Sequence, residues 1–243
     1  MIQASEAVAL TLKEMRNFAK PGMTTKELDN FCAQLLTKFG AKSAPMLAYG
    51  FPGWSCISVN KEFCHGIPSD KKVIQDGDLI NIDVSAELNG FYSDNGASFV
   101  LGKDTNNHQK LIDTSKDILK KAISNIKGGV RISDIGLLME TEAKRKGFKV
   151  IKNLTGHGVG RSLHEEPSEI ANYCDKFNFK RFKKNSVVAI ETFISTTSTM
   201  AVTSSDGWTM VGNKGDYMAQ HEHTIMVTDG QPLILTEMNG LWN

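Results

Sequence analysis

Cysteine is scarce in this chain and poorly spaced for its usual structural work. The four cysteines, Cys32, Cys56, Cys64 and Cys174, form no Cys-x-x-Cys pair and no disulfide framework, which argues against a thiolate zinc site and against a stapled extracellular fold. Cys64 adjoins His65, but free cysteine is more often a small buried hydrophobe than a nucleophile. No run of 18 apolar residues exists, and the opening MIQASEAVALTLKEM lacks both the basic start and the continuous apolar stretch of a secretion signal. An excess of either charge is missing too. Lys+Arg number 28 against Asp+Glu 27, a formal net charge of +1, so no overall field favours nucleic acid or an anionic membrane. The local basic run Lys180-Arg181-Phe182-Lys183-Lys184 is read as a solvated surface. These absences lead to the expectation of a cytoplasmic protein with reduced thiols, no membrane partner and no specific nucleic acid.

What is present is ample apolar content, 40% hydrophobic over 243 residues, enough for one packed domain spanning 1–243. Helical spacing covers 5–19, closed by Pro21-Gly22. A second helix opens at Thr24, where Thr24-x-x-Glu27 is a capping box, and runs to Gly40. Strands are expected near 56–60, 79–85 and 91–100, then helices over 106–126 and 133–146. The last third is mostly strand, near 187–194, 208–211, 219–228 and 232–236, with a Ser/Thr-rich connection from Ser195 to Ser205.

Five residues stand out because of the company they keep. Asp83 lies in LINIDVSA, Asp94 in FYSDNGASFV, His157 in LTGHGVG, Glu191 in SVVAIETFI and Glu222 in MAQHEHTIMV. A carboxylate in an apolar strand is costly unless paired or bound to metal, and no row of Lys or Arg flanks these strands. Strand parity tests the first two. Asn89-Gly90 between apolar runs is a strong two-residue hairpin signal; with these two at the centre of the turn, Leu88 opposes Phe91, Asp83 faces Gly96 and Asp94 projects to the same face as Asp83, as its diagonal neighbour, while a register slid by two residues sets the two aspartates directly opposite on that same face. Two like charges at that range repel, and a divalent ion between them removes the conflict. Adding Glu191 and Glu222 gives four carboxylates, which balance two divalent ions. The set of carboxylates with one imidazole suits Co, Mn, Fe or Zn in a hydrolytic site better than structural zinc. If Glu222 faces such ions, His223 points to the opposite face of its strand; His108 and His221 carry no assigned chemistry.

At this point the chain resembles the type I methionine aminopeptidases among the pita-bread metallopeptidases. The matching segments are FCHGIP (63–68), DGDLINIDV (76–84), the Asp94 strand, TGHGVGRSLHEEP (155–167), the Glu191 strand, DGW (206–208) and AQHEHTIMVT (219–228), in order over nearly the whole chain. The resemblance implies an α/β (α+β) fold: a pseudo-symmetric α/β/α sandwich with a mostly antiparallel curved sheet. It implies that Asp83 chelates one ion, that Asp94 and Glu222 bridge both, and that His157 and Glu191 complete the second, with Glu191 also moving a proton. It further implies that His65 contacts the scissile amide nitrogen and His164 its carbonyl oxygen, and that Tyr49, Phe51, Leu163 and Trp208 wall a pocket for methionine. A monovalent cation at main-chain oxygens near Asn60 is a last implication. The substrates would be the N-termini of nascent polypeptides with a small second residue, met at the ribosome by a monomeric enzyme.

Some positions depart from the family pattern. Thr192 follows Glu191 where proline is usual, Lys184-Asn185 replaces a Pro-Gly turn, and Pro45 and Ala48 replace a cysteine and a tyrosine at the pocket edge. Two other readings therefore stand beside the first: a pita-bread aminopeptidase of Xaa-Pro type, whose members usually carry an additional N-terminal domain, and a non-catalytic binding module of the same fold, which would typically have lost ligands.

Overall fold

The computed structural model describes residues 1–242. Helix α1 (Ile2–Phe18) and α2 (Thr25–Lys38) lead into β1 (Lys42–Ser43), the short α3 (Ala44–Tyr49), β2 (Cys56–Val59) and β3 (Glu62–Cys64). The hairpin β4 (Leu79–Leu88) and β5 (Phe91–Val100) precedes α4 (Gln109–Asn125) and α5 (Ile132–Arg145). Next come β6 (Lys149–Val150), β7 (Thr155–Gly158), β8 (Glu165–Ala171) and β9 (Val187–Ser195), then β10 (Ala201–Thr203), β11 (Met210–Gly212), β12 (Met218–Met226) and β13 (Leu233–Ile234). The long elements match the sequence expectation. The capping box forms as well: Glu27 N donates to Thr24 Oγ1 at 3.1 Å and Thr24 N donates to the Glu27 carboxylate at 2.7 Å, satisfying two of the helix's first N–H groups.

The main sheet runs β1-β4-β5-β12-β9-β7-β8 with antiparallel neighbours throughout, while β10-β11-β3 form a second, three-stranded sheet. Its centre is the junction of two pairs, β4-β5 and β12-β9. Helix α1 packs on β4 and β5, and α4 on β9 and β12, so each half of the sheet carries its own helical layer. The cores reflect this. Ile80, Ile82, Val84, Ala86 and Ala97 meet α1 and α2, whereas Val188, Ile190, Ile194, Ala219 and Ile225 meet α4 and α5.

The register shows that both helical layers lie on one face. Ile82 pairs with Ala97, Ala97 with His221, and His221 with Thr192, a single row across four strands, and side chains in one row share a face. Alternate residues, Asp83 and Glu222 among them, point the other way, toward a layer made by α3, the three-stranded sheet and connecting loops. Among the described residues the thirteen strands pair antiparallel and no helix is long and apolar enough to cross a membrane.

Candidate metal centre

The hairpin register is the one the Asn89-Gly90 turn dictates. Asn89 and Gly90 both take positive φ, 54° and 78°, Leu88 pairs with Phe91, and Asp83 faces Gly96. Asp94 pairs with Ser85, two residues beyond Asp83 and on its face. The pairing of His221 with Ala97 then puts Glu222 beside Gly96, and Glu222 itself pairs with Glu191. One row across the sheet therefore reads Asp83, Gly96, Glu222, Glu191. The adjacent row reads Ser85, Asp94, Thr224, Ala189, His157, since Thr224 pairs with Ala189 and Ala189 with His157. Thr224 and Asp94 are tied by two hydrogen bonds, Asp94 N to Thr224 Oγ1 at 3.0 Å and Thr224 Oγ1 to Asp94 O at 2.7 Å. All five residues singled out in the sequence thus fall in two neighbouring rows of one face.

They line a cavity of about 280 Å³ together with His65, His164, Tyr49, Phe51, Leu163 and Trp208. The tightest grouping is Asp94, His157 and Glu222, whose ligand atoms lie within 4.8 Å of one another. Asp83 and Glu191 stand outside that trio but are joined by a residue the sequence reading passed over. Gln220 Nε2 donates to Glu191 Oε2 at 2.8 Å and to Asp83 Oδ2 at 3.3 Å. Its own oxygen accepts from Asn81 Nδ2 at 2.9 Å. The signal was available, because Gln220 precedes Glu222 by two and so shares its face.

The electrostatics are those of an over-crowded acidic site. Burial raises the pKa of Asp83, and raises Asp94, Glu191 and Glu222 well above the carboxylate range, with repulsion adding to it: from Asp83 on Asp94 and Glu191, and from Asp94 on Glu222. Both carboxylate oxygens of Glu222 and Oδ1 of Asp94 have no hydrogen-bond partner among the described residues. Orphaned buried carboxylate oxygens are rare in folded proteins, and hard cations are their natural complement.

His157 is prepared in the same sense. Its Nδ1 lies 2.9 Å from Gly158 O; a carbonyl can only accept, so Nδ1 carries the proton and Nε2 offers a lone pair, 3.8 Å from Asp94 Oδ2. Burial, followed by neighbouring His164, depresses its pKa to about 4, which keeps the ring neutral. The donor set of carboxylates and one neutral imidazole fits divalent ions.

Around this floor, His65 has φ 54°, a left-handed conformation, and is followed by the close-packed Gly66, where a Cβ would come 2.3 Å from Ile57 O. His65 opens on the cavity but is hemmed in by protein, and that crowding lowers its pKa. His164 lies over His157, ring centroids 4.0 Å apart. Phe51 and Trp208 meet edge to face at 5.2 Å, and buried Leu163 and Phe193 complete an apolar wall. Tyr49 is turned toward His164: its Oη lies 2.5 Å from His164 Nδ1. At Asn60 the side chain donates to Asp78 and accepts from the Leu79 N–H.

His223 does face away, held by Thr236 Oγ1 at 2.9 Å against Trp242. His221, unassigned from sequence, sits in a buried polar knot behind the site: Nδ1 is 2.9 Å from Ser115 Oγ, Nε2 is 3.0 Å from Ser98 O, and Ser115 Oγ is 2.7 Å from Thr192 Oγ1. Thr192 in place of proline thus has a structural partner. Asn185 has φ 62°, so asparagine performs the left-handed turn for which glycine is usual.

Comparison with known proteins agrees with this geometry. Residues 1–229 match the model of metallopeptidase family M24. The chain is 48% identical over 231 residues to methionine aminopeptidase 2 of Bacillus subtilis, covering 95% of this chain and 93% of that protein. It is 45% identical over 226 residues to a methionine aminopeptidase of Staphylococcus epidermidis, covering 93% and 90%. The crystal structure of methionine aminopeptidase from Thermotoga maritima superposes with TM-score 0.93 at 35% identity, covering 97% of this chain and 94% of that one.

Proposed function

We propose for this chain, which belongs to metallopeptidase family M24, the activity of a methionine aminopeptidase: hydrolytic removal of the N-terminal methionine of nascent proteins when the second residue is small. The observation that carries the reading is the pair of adjacent rows that gather Asp83, Asp94, His157, Glu191 and Glu222 on one face, beside an apolar wall and two histidines. Those five residues hold two divalent ions of the Co, Mn, Fe or Zn type. Such ions, when bound, activate water and offset the negative charge that develops on the scissile carbonyl.

The protein's own groups supply the rest. Glu191 accepts a proton from the attacking water and delivers it to the leaving amine. His65 engages the nitrogen of the scissile amide, and His164 donates a hydrogen bond to its carbonyl oxygen as charge builds there. Phe51, Leu163 and Trp208, with Tyr49 at the mouth, enclose the thioether, a flexible and polarisable side chain that packs well on aromatic walls. The chain beyond the methionine must pass close to the acidic floor, which is why a small second residue is required. A cytoplasmic monomer acting on chains at the ribosome completes the reading.

The test is peptide turnover by metal-stripped protein reconstituted with each ion in turn. Met-Ala and Met-Gly peptides should be cleaved and Met-Leu peptides spared. A preference for Xaa-Pro peptides, or no turnover with any ion, would overturn the assignment.

A further inference from the structure

The phenol of Tyr49 does not simply line the methionine pocket. It reaches 115 residues along the chain to His164, Oη to Nδ1 at 2.5 Å. It is placed there by a short helix whose ends are well made. Ser43 Oγ accepts from Met46 N at 3.4 Å at the start, Pro45 occupies the first turn, and Gly50 closes the end at φ 70°. Among the described residues Tyr49 Oη makes no other hydrogen bond.

Two arrangements of the proton satisfy that contact. Either the phenol donates to Nδ1 and leaves Nε2 protonated, or Nδ1 donates to the phenol oxygen and leaves Nε2 bare. An imidazole nitrogen is a much better acceptor than a phenol oxygen, and the phenol O–H is the better donor. The ring beneath, His157, has its own tautomer fixed by Gly158 O and lies tilted against His164, centroids 4.0 Å apart and 42° between planes, a close contact that limits rotation of the His164 ring.

We propose that Tyr49 is a positioning residue for His164: its O–H donates to Nδ1, locks the imidazole as the Nε2–H tautomer and aims that N–H at the scissile carbonyl oxygen. This rests on the peptidase reading above for the last clause only; the tautomer itself is a property of the protein without substrate.

The experiment is Tyr49→Phe, which keeps the ring and the helix packing and removes one oxygen. Long-range proton–nitrogen correlation spectra of metal-free protein labelled at its histidine ring nitrogens should show Nδ1 of His164 unprotonated and Nε2 protonated. In Tyr49→Phe the two should shift toward a mixture of tautomers. On the metal-loaded enzyme the same change should lower kcat by tenfold or more on a Met-Ala peptide with KM within about twofold. In a His164→Ala background it should have no further effect on kcat. Unchanged ring nitrogens in Tyr49→Phe would overturn the proposal whatever the peptidase assays give. So would a rise in KM at constant kcat, the signature of a phenol that only lines the pocket, or an undiminished effect in the His164→Ala background. Absence of peptidase activity with the tautomer shift intact would instead count against the functional reading.

Discussion

Glu222 and Glu191 stand directly opposite each other across β12 and β9, and neither oxygen of Glu222 meets a donor among the described residues. Cross-strand like charges destabilise a sheet, and these are buried. The pair is tolerated only when protonated or when a cation intervenes, which makes the acidic floor a liability in the metal-free protein.

Metal removal should therefore destabilise the fold in a pH-dependent way. The folded pKa values of Asp94, Glu191 and Glu222 are raised, so in the stripped protein their contribution is full below the ordinary carboxylate range. It is lost as pH rises through the raised values. His157, lowered to about 4 from 6.5, acts oppositely: its contribution is present above 6.5 and lost as pH falls below it. Once His157 is neutral, the carboxylates set the slope: the gap in Tm between metal-loaded and stripped protein should widen as pH rises through their raised values, and calorimetry in buffers of different ionisation enthalpy should detect protons released on metal binding. A gap that stays constant across that range would sink this account.

Gln220 should matter more for metal affinity than for stability. Its amide restrains both Asp83 and Glu191, and outer partners of metal ligands typically change affinity 10- to 100-fold when removed. Gln220→Ala should weaken metal binding by about that factor while the thermal midpoint of the stripped protein moves little. Gly96→Ala should mimic it, because a Cβ there would come 2.8 Å from Gln220 Oε1 and push the amide off its two carboxylates. Unaltered metal affinity in both variants would show the amide to be a bystander.

His65→Ala and His164→Ala should reduce kcat by about 10² to 10³ and leave metal content near that of the parent protein. Elemental analysis beside turnover separates the two effects. Loss of metal from His164→Ala would place it among the ligands rather than over them.

Thr192 should prove structural. Its hydroxyl lies in the knot with Ser115 and His221 on the helical side of the sheet. Thr192→Val preserves shape and strands polar partners, at a cost of about 1 to 3 kcal/mol measurable by urea unfolding. Activity per folded molecule should change little. A neutral substitution would mean that Ser115 and His221 satisfy each other without it.

The acidic floor was legible because strand periodicity is rigid: once Asn89-Gly90 fixed the hairpin, the faces of Asp83 and Asp94 followed. The helical amphipathic stripes were equally plain. What escaped notice had a physical reason in each case. The helix at Ala44–Tyr49 is only six residues long and contains proline, too short for periodicity to register. Strand β8, Glu165–Ala171, is at the end of the main sheet path, and its exposed, charged residues hide its pairing. Gln220 escaped because an amide is no obvious ligand, although its parity was readable. The contact of Tyr49 with His164 joins residues far apart in sequence, and only the closed fold brings them together.

The sheet order carries a consequence for how the protein comes into being. Strand β12 lies between β5 and β9, yet it is made after both. During synthesis the two earlier strands must wait with open edges for a middle strand that has not yet emerged, and the acidic row lacks Glu222 until it slots in. A chain released before that point would hold two unjoined half-sheets with exposed pairing edges, inert as a catalyst and prone to pair with its neighbours. The enzyme that trims new proteins is thus itself switched on only when its own keystone strand arrives.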